Sequence, residues 1–183
     1  NRSQPMNHLP ETVQRVSAHL HSLGHPNMPQ MLDGACRTAQ QAADALGIAV
    51  GQIAKSIIFK RKSDGVAVLI VTSGDRRVDE KKVEAQIGKI GRADAEFVKA
   101  TTGFSIGGVS PVAHITPPVT LIDRDLMRFD VVWAAAGHPH AVFALHPRDL
   151  EQLTGARMAD VVVDTVTNTA SEAVVHVVKE SVK

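Results

Sequence analysis

A hairpin signal decides the fold: the chain reads Ile57-Ile58-Phe59, then Arg61-Lys62-Ser63-Asp64-Gly65, then Val66-Ala67-Val68-Leu69-Ile70-Val71. Two runs rich in β-branched residues, separated by a turn that contains Asp-Gly, predict two antiparallel strands. The second run is apolar at every position, which predicts a central strand that is covered on both faces. This hairpin is the starting point of the predicted sheet.

Two helices are predicted before the hairpin. The first lies between Pro10 and Gly24, because four apolar residues recur there at helical spacing, namely Val13, Val16, Leu20 and Leu23. A short extended piece is expected near Met31. The second helix is predicted over residues 37–46 and is followed by a glycine stop.

After the hairpin, helices and strands alternate. Capping residues and a proline predict three helix starts, at Asp79, Asp94 and Pro147. Strands are predicted over residues 119–122, 131–136 and 141–145. Because strand–helix alternation and hairpins both occur, we predict an α/β (α+β) fold with a mixed sheet.

Length and composition bound the number of domains. The 183 residues, 44% of them hydrophobic, are enough to bury one core. After residue 164 the chain becomes small and polar, so we predict one domain over residues 1–163 and a tail over 164–183 that forms a short helix or an added strand. Cys36 is the only cysteine, which excludes an internal disulfide and a cysteine-based zinc site.

Charge and polarity bear on the partners. The net charge is +1, but residues 55–99 carry 11 Lys and Arg against 7 Asp and Glu, so this part could meet a phosphate backbone. A solvated surface of mixed charge is the alternative. The absence of tyrosine weakens any platform for stacked bases. The polar N-terminus and the lack of a segment of about 20 apolar residues predict a cytoplasmic protein without membrane contact.

Two features are candidates for chemistry. The stretch Gly103-Phe104-Ser105-Ile106-Gly107-Gly108-Val109-Ser110-Pro111 could hold a carbonyl or an oxyanion with main-chain N–H groups, because adjacent glycines allow close approach. An ordinary glycine-rich turn is the alternative. Lys55, at the mouth of the predicted strand, could reach a phosphate or a carbonyl as a point charge, or extend into solvent.

The histidines raise a third possibility. His138 and His140 lie in one predicted turn and His146 follows one strand later, which suggests a metal site. No acidic residue stands among them and the HExxH pattern is absent, so we expect no metal. The residues alone therefore predict an α/β domain with a Gly-Pro loop and a possible site lysine, and they name no reaction.

The order of these pieces resembles the YbaK/EbsC-like family, related to the editing domain inserted in bacterial prolyl-tRNA synthetases. The matching stretches span roughly residues 11–163 and include Ala42-Ala43-Asp44-Ala45-Leu46-Gly47-Ile48, Ala54-Lys55-Ser56-Ile57, Gly103 to Pro111, and Ala136-Gly137-His138. The resemblance implies a mixed, barrel-like sheet flanked by helices. It also implies a free-standing enzyme that hydrolyses the ester between an amino acid and the terminal adenosine of tRNA.

The resemblance further implies roles for individual residues. Lys55 would hold the 3′ end and the ester, and the main-chain amides of Gly107 and Gly108 would fix the substrate carbonyl. The other implied substrate contacts are Ser56, Val109, Ser110, Pro111, Gly137, His138 and His140. No metal or other cofactor is implied. The implied partner is the acceptor end of aminoacyl-tRNA, with an aminoacyl-tRNA synthetase as a second candidate.

The expected substrate is a small misacylated residue. Ala, Ser or Thr is favoured over Cys, because Ser56 follows the lysine and tyrosine is absent, unlike in some cysteine-clearing members. One rival is a catalytically inactive tRNA- or synthetase-binding module of the same fold. A second rival is a metal hydrolase that uses the three histidines.

Overall fold

A computed structural model describes residues 8–34 and 36–164, so the predicted tail after residue 164 lies outside the described part. Within that part the chain forms one mixed eight-stranded sheet with five α-helices, as the predicted fold class requires. The helices are α1 (Glu11–Ser22), α2 (Ala39–Leu46), α3 (Glu80–Ile87), α4 (Ala95–Thr102) and α5 (Pro147–Thr154). The strands are β1 (Gln30–Met31), β2 (Ile53–Arg61), β3 (Ala67–Ser73), β4 (Ile90–Arg92), β5 (Val119–Asp123), β6 (Val132–Ala135), β7 (Ala141–Leu145) and β8 (Arg157–Ala159).

The predicted hairpin is the centre of the sheet. Strands β2 and β3 pair antiparallel from Ala54↔Ser73 to Lys60↔Ala67, and every residue of β3 is buried. The predicted first strand, 57–59, was too short, because pairing with β3 continues through the polar residues Lys55 and Ser56. The strand order is β1-β7-β6-β2-β3-β5-β8, with β4 paired to β2 off this path.

The second edge of β2 is only partly paired. Strand β6 runs parallel to the start of β2, through Ile53↔Trp133 and Ala54↔Ala134. Strand β4 runs antiparallel to its end, from Phe59↔Arg92 to Arg61↔Ile90. Among the described strands none pairs with this edge over residues 55–58. We call this segment the free edge of β2, and it lies beside the candidate site.

Helices cover both faces of the sheet. On one face α1 buries three of its four predicted inward residues in the main core with Phe104 and Phe143; they are Val13, Val16 and Leu20. The fourth, Leu23, is 50% exposed, because the helix ends at Ser22 and Leu23 is its C-cap. On the other face α3 packs Val83 against β3. No helix in the described part of the chain is long and apolar enough to span a membrane.

Several predicted element ends are confirmed by their caps. Asp79 and Asp94 accept main-chain N–H bonds at the starts of α3 and α4, and left-handed Gly47 and Gly155 end α2 and α5. Helix α2 begins two residues later than predicted, because Thr38 caps it. Strands β4 and β8 were not predicted, since three residues are too few to give a periodic pattern.

Candidate active site

The glycine-rich loop follows α4 and folds back onto the core. Residues 105–107 are exposed at its tip, whereas residues 108–112 are buried. The N–H of Gly108 donates a hydrogen bond to the carbonyl oxygen of Ser105 at 2.9 Å, which closes a tight turn. The buried Ser110 hydroxyl accepts a hydrogen bond from the N–H of Val112 at 3.1 Å. The loop therefore has a defined conformation with an exposed tip.

Helix α1 holds both ends of this loop through Arg15. Its guanidinium donates to the carbonyl oxygens of Thr102 at 2.9 Å and Ala113 at 3.0 Å, and it lies 4.5 Å above the centre of the Phe104 ring. Gly103 has a φ of 85°, which favours glycine, and a Cβ atom there would stand 2.5 Å from this guanidinium. Sequence reasoning missed Arg15, because it reads as an ordinary charge on the polar face of an amphipathic helix.

The loop touches the turn between β6 and β7. A Cβ atom on Gly108 would stand 2.9 Å from the Cα and carbonyl carbon of His138. Gly137 has a φ of 97°, and a Cβ atom there would stand 2.8 Å from the carbonyl oxygen of Thr12. The Thr12 hydroxyl donates to the Gly137 carbonyl oxygen at 2.6 Å. Two predicted site glycines therefore permit direct backbone packing between the loop, this turn and α1.

The three histidines have separate contacts. His138 accepts the N–H of His140 on Nδ1 at 3.0 Å, so its neutral ring carries the proton on Nε2. His140 directs Nδ1 at the carbonyl oxygen of Leu32, 3.2 Å away. His146 caps α5 by accepting the N–H of Arg148 at 3.1 Å. Within residues 8–34 and 36–164, no group of three or more His, Cys, Asp or Glu is placed to hold a metal ion.

A cavity of about 160 Å³ lies between the free edge of β2 and the loop. One wall is formed by Ser56, Ile57 and Ile58; the loop contributes Ile106, Gly107 and Val109. Since three consecutive residues of a strand line it, the cavity reaches around the strand edge rather than facing one side of the sheet. The structure thus brings Ser56 together with the predicted loop.

Several polar groups at this cavity lack partners. The buried Ser56 hydroxyl oxygen has no hydrogen-bond partner among the described residues. The main-chain N–H groups of Gly107 and Val109, which both line the cavity, likewise have no hydrogen-bond partner within the same part of the chain, whereas the N–H of Gly108 is used by the turn. Buried polar groups are usually paired. Unpaired donors beside a cavity are therefore suited to a bound carbonyl or oxyanion.

Lys55 lies at the start of the free edge and is half-buried. Burial lowers the pKa of its ammonium group, and the negative charge of Asp75 partly opposes that effect. Residues opposite each other in an antiparallel pair share a face. Lys55 is opposite Thr72 and Ser56 is opposite Val71. Because successive side chains of a strand point to opposite faces, the side chains of Lys55 and Ser56 leave β2 on opposite faces of the sheet. Lys55 lies within β2, whereas the sequence had predicted it at the start of the strand.

Asp75, which sequence reasoning also missed, follows β3 and is held by Arg128. The guanidinium of Arg128 lies 2.9 Å from the Asp75 carboxylate and donates to the Ser73 hydroxyl at 2.7 Å. Ser73 is fully buried and donates a short hydrogen bond to the carbonyl oxygen of Gly51. Arg128 therefore holds the Asp75 carboxylate in place near Lys55.

The remaining predicted residues, Ser110 and Pro111, form the buried end of the loop. Ser110 and Pro111 are buried, and Pro111 lines a second, larger cleft of about 580 Å³ together with Arg15 and His114. His114 is 2.5 Å from the carbonyl oxygen of Ser110 through Nε2, and burial lowers the pKa of its imidazole. These contacts support the loop from its rear.

The family model that describes the aminoacyl-tRNA editing domain matches residues 33–153. YwhH of Bacillus subtilis, an uncharacterized protein, is 30% identical over 148 residues, which are 80% of this chain and 94% of that protein. EbsC of Enterococcus faecalis, named as a proposed Cys-tRNA(Pro)/Cys-tRNA(Cys) deacylase, is 25% identical over 68% of this chain and 76% of its own length. A crystal structure of a proposed trans-editing enzyme for prolyl-tRNA synthetase is 40% identical, with a TM-score of 0.80, over 85% of this chain and 99% of that one.

Proposed function

The chain belongs to the aminoacyl-tRNA editing domain family, and we propose that it hydrolyses the ester of a mischarged aminoacyl-tRNA. The observation that carries this proposal is the cavity between the free edge of β2 and the loop, where main-chain N–H groups stand without partners. An aminoacyl ester is already activated, so positioning and oxyanion stabilisation can supply most of the required rate enhancement.

In the proposed reaction a nucleophile attacks the ester carbonyl carbon, and the carbonyl oxygen takes the developing negative charge. The N–H groups of Gly107 and Val109 are the proposed donors to that oxygen, because both residues line the cavity and neither N–H has a described partner. The proposed nucleophile is water, which the neighbouring ribose hydroxyl assists. The bond to the ribose oxygen then breaks, that oxygen takes a proton, and the free amino acid leaves.

Gly108 has a different proposed role from the one the resemblance implies. Its N–H is committed to Ser105, so we assign it close packing against His138 rather than donation to the substrate. The Nε2–H of His138 is then a candidate donor to the ribose or the amino acid. His140 is proposed to hold the turn through its contact with Leu32 rather than to touch the substrate.

Lys55 is proposed to bind the terminal adenosine and the ester as a point charge. Its flexible four-carbon stem can pass the strand edge, since no described strand pairs with β2 at residues 55–58. Burial lowers the pKa of its ammonium group, and the nearby Asp75 carboxylate partly opposes that loss of charge. A half-buried ammonium beside a free strand edge supports this role.

The cavity favours a small amino acid. Its volume of about 160 Å³ and its lining of Ile57, Ile58, Val98 and Val109 leave little room for a large side chain. The unpaired Ser56 hydroxyl offers one hydrogen bond to a polar one. We propose Ala, Ser or Thr ahead of Cys, with imperfect discrimination among them, because small pockets separate isosteres poorly. The proposed setting is the cytoplasm, where charged tRNA is available.

The test is a panel of tRNAs charged with Ala, Ser, Thr, Cys and Pro, scored for release of each amino acid with and without EDTA. We expect release of at least one small amino acid, no release of Pro and no effect of the chelator. Release from none of them, with tRNA binding retained, would establish the inactive binding module instead. Loss of activity in EDTA, restored by a divalent metal, would overturn the metal-independent mechanism.

A further inference from the structure

A second concave surface adjoins the candidate site. A groove of about 340 Å³ is lined by Lys60, Arg61, Lys62, Gly65, Gly91 and Arg92. Four of these six residues are cationic, and the groove lining contains no Asp or Glu among the described residues. We call this surface the basic groove. It contains part of the excess of positive charge that the sequence places in residues 55–99.

The four cations are not equivalent. Arg61 is committed to the fold, because its guanidinium pairs with Asp64 at 2.9 Å and donates to the carbonyl oxygen of Ile87. The ammonium of Lys60 lies 5.1 Å from the centre of the Phe97 ring. Lys62 and Arg92 are exposed, and their side chains have no hydrogen-bond or salt-bridge partner within the described part of the chain. These two cations are available to a ligand.

The groove and the catalytic cavity share two strands. Ile58 of β2 and Ala93, which directly follows β4, line the cavity, whereas Lys60 of β2 and Arg92 of β4 line the groove. The four residue-to-residue steps of β2 from Ser56 to Lys60 span about 13 Å. A chain whose terminal ester occupies the cavity would therefore pass over the groove a few nucleotides upstream.

We propose that the basic groove binds backbone phosphates of the acceptor arm of the same aminoacyl-tRNA, an inference that rests on the proposed function. Apart from Arg61, which pairs with Asp64, the groove has three cations in a lining without Asp or Glu among the described residues, and such a cluster matches a phosphate backbone. The lining contains no aromatic residue, and the nearby Phe97 ring is covered by Lys60, so phosphates rather than stacked bases are the fitting ligand. The groove sets affinity for the RNA, and the cavity carries the chemistry.

The experiment compares the double variant Lys62→Ala/Arg92→Ala with a charge-matched control, Lys81→Ala/Arg148→Ala. The control residues are exposed and do not line the groove. Binding is measured with uncharged tRNA over a series of salt concentrations. Turnover is measured with charged tRNA and with an aminoacyl-adenosine, which is too short to reach the groove.

For the groove variant we expect roughly a tenfold rise in Kd and in KM for tRNA, because two phosphate contacts are lost. For the same reason the slope of log Kd against log salt concentration should fall by about 1.4–1.8. Turnover of the aminoacyl-adenosine should match that of the control. An unchanged Kd and salt slope would overturn the inference, and so would an equal loss on the short ester. The binding measurement uses uncharged tRNA and does not depend on hydrolysis. If the wild-type protein hydrolyses nothing, the proposed function is refuted, but the binding data still test whether the basic groove binds tRNA.

Discussion

The two edges of β2 differ in how completely they are paired. One edge pairs with β3 at seven consecutive positions, and every residue of β3 is buried. The other edge pairs with β6 at its start and β4 at its end, and residues 55–58 have no partner strand in the described part of the chain. The candidate cavity, the glycine-rich loop and the basic groove all lie along this second edge.

The strand serines Ser73 and Ser56 differ in their hydrogen bonding. At the paired end of the hairpin the buried Ser73 hydroxyl contacts Gly51 and Arg128, and its N–H donates to Asp123. At the free edge the Ser56 hydroxyl and nearby loop N–H groups have no described partner. Satisfied polar groups stabilise a fold, whereas unsatisfied ones cost stability unless a ligand pairs with them. The Ser56 hydroxyl is therefore placed to bind a ligand at the incomplete edge, while the buried Thr72 hydroxyl of β3 also has no partner among the described residues.

The largest expected effect is at Lys55. We expect Lys55→Ala to lower kcat/KM for the aminoacyl-tRNA by about 10²–10³-fold, because the charge that is proposed to hold the terminal adenosine and the ester in position is lost. Lys89→Ala is the control, since the side chain of this lysine is exposed and pairs only with Glu84 within the described part of the chain. Steady-state kinetics measure both variants, and thermal melts verify that they are folded. Full activity in the Lys55 variant would remove it from the site.

The contact between the loop and the β6–β7 turn should be nearly as sensitive. A methyl group on Gly108 would collide with the main chain of His138, so Gly108→Ala must displace the loop, and a shift near 1 Å can cost about 10²-fold in rate. Gly155→Ala is the control, because its strain at a φ of 74° costs about 1 kcal/mol far from any described neighbour. A Gly108 variant with normal kinetics would contradict the proposed packing.

Substitution of the two strand serines of the hairpin, Ser73 and Ser56, should have opposite effects on stability and on kinetics. Ser73→Ala leaves buried partners unsatisfied and should cost about 2 kcal/mol of unfolding free energy, with little change in kcat. Ser56→Ala removes an unpaired buried hydroxyl, so stability should change by less than about 0.5 kcal/mol while KM rises. Urea unfolding and kinetics on both variants test this. An equal loss of unfolding free energy in both variants would contradict the proposed difference between the two edges of β2.

The smallest expected effect is a pH dependence of the unfolding free energy, caused by Asp123 at the end of β5. Asp123 is fully buried, and burial raises its pKa, although the N–H groups of Asp125 and Ser73 partly oppose this. A raised pKa in the folded state gives stability that is complete below the ordinary pKa of about 3.9 and is lost as the pH rises through the folded value.

Asp123→Asn removes that loss, so its unfolding free energy relative to the wild type should increase as the pH rises from about 4. Urea unfolding at a series of pH values measures the difference. Parallel stability curves for the two proteins would show that the carboxyl group does not titrate in this range.

Much of the hairpin and helix framework was predictable, because it depends on local signals. The apolar run in β3, the Asp caps of α3 and α4 and the glycine stop at Gly155 each act through their immediate neighbours. The same holds for the glycine-rich loop as a conspicuous motif. By contrast, the short strands β4 and β8 form only because longer strands are already in place beside them.

The parts of the site that were missed depend on contacts between distant residues. Arg15 and Thr12 hold the loop and the β6–β7 turn from a helix about 90 to 125 positions away in the chain, and no spacing in the sequence marks either one. Likewise, nothing in the sequence tells that the Gly108 N–H is used by a turn while those of Gly107 and Val109 are unpaired.

The sequence by itself determined the mixed α/β fold, the hairpin at its centre and the residue types that could serve a deacylase, because hydrophobic periodicity and glycine conformations are local properties. The tertiary structure decided which edge of β2 stays free, how the loop packs against His138 and where the cations of residues 60–92 converge. Those features follow from strand pairing and close packing between segments far apart in the chain, which no local pattern specifies.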